Sequence, residues 1–94
     1  MEKSKWVKTL FRAILEGDEY IESEPIIGYE MFRKLQITNI EVKIDKIITI
    51  TVTLERPGLL IGKAGRTIDE LTERLSKRLN DKVEIIIKDS EIWN

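Results

Sequence analysis

Apolar residues change their spacing along the chain, and each change marks an element. Between residues 3 and 16, Trp6, Val7, Leu10, Phe11, Ile14 and Leu15 recur every three or four positions, predicting an amphipathic helix. Gly17 sits where that helix would stop. An acidic stretch follows, and Pro25 then suits the first position of a second helix over 25–36. Its apolar face is Ile26, Ile27, Met31, Phe32 and Leu35; Gly28 weakens the first turn by about 1 kcal/mol relative to alanine.

The period then falls to two. Ile40, Val42 and Ile44 alternate with Glu41 and Lys43, and Ile48, Ile50, Val52 and Leu54 alternate with three threonines. This predicts two strands joined at Asp45-Lys46, an antiparallel hairpin with one apolar face. Arg56-Pro57-Gly58 ends the second strand. Leu59-Leu60-Ile61 allows a turn or two of helix, and Gly62-Lys63-Ala64-Gly65 interrupts it. Ile68, Leu71, Leu75 and Leu79 predict a longer helix from Arg66 to Asn80, with Thr67 and Glu70 spaced as a capping box. A last strand, Lys82 to Lys88, sets Val83, Ile85 and Ile87 on one face.

A helix-bearing crossover between the last two strands makes them parallel, with a right-handed connection. The expected fold class is α+β: a mixed three-stranded sheet with helices packed on one face.

At 94 residues the chain suits one domain. With 41% hydrophobic and 35% charged residues it can build a small core and does not read as disordered. No apolar run approaches the roughly 20 residues of a membrane span. Met1 to Lys5 leads into alternating polar and apolar residues, so no signal peptide is expected. The chain has neither cysteine nor histidine, which excludes disulfides, thiolate or imidazole metal sites, and every triad built on Cys or His. A cytoplasmic location fits.

Net charge is −1, an unusual balance for a nucleic-acid binder. Its distribution is uneven. Arg56 to Arg66 holds Arg56, Lys63 and Arg66 without an acid, whereas Asp18 to Glu24 holds four acids without a base. A local patch matters more to a ligand than the sum. Arg74, Lys77 and Arg78 alternate with Asp69, Glu70 and Glu73, as expected of surface pairing.

Gly58, Gly62 and Gly65 fall close together around Lys63. Such loops beside helix starts hold phosphates through free amides and open approach. The spacing fits neither a nucleotide P-loop, because Ala64 follows Lys63 where Ser or Thr is needed, nor a dinucleotide fingerprint, because no Gly-x-Gly precedes Gly65. What remains is a Gly-x-x-Gly between a short helix and a longer one, after a strand and before another.

In that setting, Arg56-Pro57-Gly58-Leu59-Leu60-Ile61-Gly62-Lys63-Ala64-Gly65 resembles the KH family in its type II, prokaryotic-style arrangement. It is similar to the KH domain of a small-subunit ribosomal protein and to small stand-alone bacterial KH proteins. The resemblance covers Ile37 to Ile87, with the helix at 25–36 as the first element. It implies residues 25–88 as a KH-like domain, preceded by a helical extension (1–17) and an acidic connector (18–24) and followed by a tail (89–94). A chain of this length lacks the second domain of a ribosomal homologue, so a ribosomal role is not expected.

The resemblance further implies that about four nucleotides of single-stranded RNA, with DNA as the alternative, are clamped by the loop. Gly62 and Gly65 would admit the backbone, Lys63 and Arg66 would add charge beside Ala64, and Arg56 would extend the rim. Ile61, Ile68 and a neighbouring strand would form an apolar groove for bases. Other readings stay open. The alternative for the glycines is that they only permit a tight helix–helix turn. The stripe of residues 3–16 would either pack on the domain or serve a protein partner or self-association, making the chain a KH-fold interaction module. No enzyme, cofactor or membrane partner is expected, because no paired catalytic constellation stands out among the scattered carboxylates.

Overall fold

The computed structural model describes residues 2–16 and 26–90. The expected acidic connector, Pro25 and residues 91–94 of the expected tail lie outside them. The elements run α1 (Lys3–Glu16), α2 (Gly28–Leu35), β1 (Ile37–Ile44), β2 (Ile48–Leu54), α3 (Pro57–Ile61), a single 3₁₀ turn (Lys63–Gly65), α4 (Arg66–Leu79) and β3 (Val83–Asp89).

The sheet has the order β1-β2-β3, β1 pairing antiparallel and β3 parallel to β2. Val52 faces Ile40 on one side and Ile87 on the other, and Ile50 faces Val42 and Ile85. Because strand side chains alternate, this register gathers every apolar row on one face. Ile48, Ile50, Val52 and Leu54 are fully buried there, while Thr49, Thr51 and Thr53 lie on the opposite face beside Glu41, Lys43, Glu84 and Lys88. On the apolar face α1 packs over β1 and α4 over β3, α3 is wedged between α2, α4 and β3, and α2 packs against α1 and α3. The sheet class and pairing expected from the periodicity are those observed.

α1 is part of the core. Of the fifteen buried apolar residues among those described, it supplies five: Val7, Leu10, Phe11, Ile14 and Leu15. Trp6, assigned to the same stripe, is 46% exposed. It sits one residue, about 100° round the helix, from Val7 and falls off the buried sector.

Three other expectations need correction. The second helix starts at Gly28 and leaves out Ile26 and Ile27, because Gly28 takes φ +78 and breaks helical continuity; both isoleucines still pack against the core. The hairpin turn has three residues, Asp45 to Ile47, since Ile44 pairs with Ile48. β1 begins at Ile37, directly after the expected end of the second helix, and its first residues join the ladder across an irregularity between Ile37 and Asn39. Thr67 does not cap α4: the N-cap is Gly65, without a side-chain cap, and Thr67 packs against Gly62 instead.

Candidate nucleic-acid interface

Pro57 opens α3, where its missing N–H leaves no helical bond unmade. Two backbone bonds then fold the loop: the Gly62 N–H donates to the Gly58 carbonyl at 3.0 Å, and the Gly65 N–H to the Gly62 carbonyl at 3.2 Å. Gly62 lies at φ 77, ψ 176, a region essentially confined to glycine. A Cβ there would also stand 2.7 Å from the Thr67 Cβ and 2.9 Å from its amide nitrogen. Ala64 adopts φ 56, ψ 27, a left-handed conformation that disfavours a residue with a Cβ by about 1–2 kcal/mol. Gly65 lies at φ 76, ψ 11, and a Cβ on it would meet only the Asp69 Oδ2, at 3.9 Å. Three left-handed residues in four thus turn the chain through the gap between α3 and the fourteen-residue α4.

The fold brings Lys63, Ala64 and Arg66 together, all exposed, at the tip beside the start of α4. Arg56 is exposed at the far end of α3, a five-residue helix roughly 8 Å long, so it stands off from the tip. Ile61 is 38% exposed, and Ile68 is half-buried against the core. The strand nearest both helices is β3, an edge strand whose Ile85 and Ile87 are half-buried on the helix side. Sequence reading left that strand unnamed; the periodicity marked both isoleucines, but only the strand order shows which edge lies beside α3. Leu59, 36% exposed on the same short helix, was missed. Its place in an acid-free Gly-Leu-Leu-Ile-Gly run was the available signal.

Charge pairing separates the loop from the helix behind it. On α4, Arg74 pairs with Glu70 at 3.0 Å and Lys77 with Glu73 at 3.1 Å, as the alternation predicted. Among the described residues no carboxylate pairs with Arg56, Lys63 or Arg66. No helix among those residues is long and apolar enough to cross a membrane.

Comparison with known proteins agrees with this geometry. A family model described as KH domain matches residues 26–93. The chain is 38% identical over 74 residues to small ribosomal subunit protein uS3 of Parabacteroides distasonis, covering 76% of this chain and 30% of that protein. Against uS3 of Flavobacterium johnsoniae the identity is 36% over 74 residues, 76% of this chain and 29% of that one. Against uS3 of Borreliella burgdorferi it is 33% over 91 residues, 93% of this chain and 31% of that one. The chain therefore spans about three-tenths of the length of these curated relatives.

Proposed function

The chain belongs to the KH domain family, type II in arrangement, and on that premise we propose that it binds single-stranded RNA without catalysis through the Gly62–Gly65 loop. The observation that carries this reading is the loop itself: exposed at Lys63 and Ala64, left-handed at three positions, followed by Arg66, and free of paired acids among the described residues. The turn consumes the amides of Gly62 and Gly65. The amides of Lys63 and Ala64 are then the ones presented to phosphate, with the missing Gly62 and Gly65 side chains admitting the strand. About four nucleotides fit such a clamp, their bases resting on Leu59, Ile61, Ile68, Ile85 and Ile87. Arg56 guides the strand as it leaves. RNA is favoured over DNA wherever a 2′-hydroxyl finds a partner. The relatives carry the name small ribosomal subunit protein, so fragments of ribosomal RNA are the first natural probes, and action in the cytoplasm follows from the same reading.

Neutralising about three phosphates gives a slope of log affinity against log salt of roughly −2 for a single strand. Affinity then falls about 20-fold from 50 to 200 mM salt. Titration of a labelled oligonucleotide at both salts tests this. Salt-independent binding, or none at micromolar protein, would defeat it.

A second reading, self-association, retains one observation, the 46% exposure of Trp6. Deleting residues 1–17 is no test of it, since five core side chains would go as well. Sedimentation of the Trp6→Ser variant against the parent is the suitable comparison: a partner surface at Trp6 predicts loss of the larger species.

A further inference from the structure

The outward side of α1 carries Lys5, Lys8 and Arg12, spaced i, i+3, i+7 and so aligned along one stripe. Two adjoining hollows run beside that stripe. One, of about 130 Å³, is lined by Lys8, Arg12, Ile37, Thr38, Asn39 and Ile40. The other, of about 200 Å³, is lined by Glu2, Ser4, Lys5, Lys8, Ile40 and Val42. Successive strand residues point to opposite faces, so a hollow lined by four in a row lies along the free edge of the strand. Lys8 and Ile40 border both hollows and join them into one trough between α1 and the β1 edge.

We propose that this trough is a second phosphate-binding surface, which takes the backbone of an RNA strand without reading its bases. Three features support that occupant. The hollow between Lys8 and Arg12 has no carboxylate in its lining; Glu2 borders only the far one. Among the described residues no acid pairs with the three cations, in contrast to the matched pairs on α4. The Arg12 guanidinium lies 6.0 Å from the centre of the Phe32 ring, a cation–π contact that holds it at the mouth of the hollow. The irregular start of β1 works against addition of a peptide strand at this edge. The proposal borrows from the KH reading only the class of polymer. The β1 edge lies across the sheet from β3, so the trough and the loop are separate footprints.

The test compares a tetranucleotide with a 20-nucleotide strand. At about 3.4 Å per phosphate the longer one spans about 68 Å, twice the molecule's 33 Å longest axis. The variant is Lys5→Gln, Lys8→Gln, Arg12→Gln, with Arg12→Lys as a control that keeps the charge. Three lost phosphate contacts should make the salt slope for the 20-mer shallower by about 2, with tetranucleotide affinity unchanged. An unchanged slope for the 20-mer overturns the proposal. So does a parallel loss of tetranucleotide affinity, which would trace the effect to the fold. Polyglutamate bound more tightly than RNA, with the same three-residue dependence, would overturn it in favour of an acidic protein partner. The loop reading fails separately: Lys63→Asp with Ala64→Asp would then leave tetranucleotide binding intact. If the parent binds neither RNA, both ideas fall.

Discussion

α1 and the Gly62–Gly65 loop are held in place by opposite means. α1 is a regular helix fixed by what it buries: Phe11, Val7 and Leu15 have no solvent exposure, and nothing in its backbone is unusual. The loop buries no side chain and is fixed by its backbone, through three positive φ values and two hydrogen bonds. The family match begins at residue 26 and omits α1, although an alignment covering 93% of the chain must reach into it. Ten of the fifteen buried residues among those described lie within the family match, and α1 adds the other five from outside it. Side chains at the loop are exposed and make no part of the core, whereas those on the inner face of α1 are fully committed to it.

Substitutions can break or sharpen this contrast. The largest effect belongs to Phe11→Ala, where loss of a buried ring should cost about 4 kcal/mol. That is a large share of the roughly 5–15 kcal/mol a domain has, and denaturant unfolding would read it directly. If the variant is as stable as the parent, α1 is not core. Next comes Lys63→Asp with Ala64→Asp. Losing one cation and adding two anions at about 5 Å from phosphate costs roughly 0.8 kcal/mol each in water, or about 50-fold in RNA affinity. The melting temperature should barely move, and a large drop would mean the loop supports the fold after all. Smaller and opposite in sign are two alanine–glycine exchanges. Gly62→Ala should destabilise by about 2 kcal/mol, through the collision with Thr67 and the forbidden backbone region. Ala64→Gly should stabilise by up to about 1 kcal/mol, by relieving a left-handed alanine. Thermal unfolding of the pair checks both, and identical signs would refute the geometry.

Legibility followed periodicity. The strict alternation in β2 gave its limits and its buried face, because a half-buried strand leaves little choice of register, and the helix between β2 and β3 gave their parallel pairing. The limits of α1 were equally plain. What escaped were features decided by single backbone angles or by distant contacts. Gly28 reads as a mildly unfavourable helix residue, yet its positive φ moves the helix start. Thr67 has the composition of a cap but serves as packing for Gly62, a role that appears only when α3 and α4 are placed together. Trp6 belongs to the apolar stripe by type and not by angle. At the candidate interface the tip was legible because its residues are contiguous. The β3 side was not, because it lies some twenty residues away in sequence and adjoins α3 only through the strand order.

The two glycines that bracket the tip are not equivalent, and this bears on how related chains are found. At the first, both the torsion angles and the crowding beneath it strain any residue with a side chain. At the last, the angles lie where asparagine and aspartate also settle, and the space is open. A pattern search that demands glycine at both ends will discard chains able to make the same bend, whereas one that relaxes the first will collect chains that cannot.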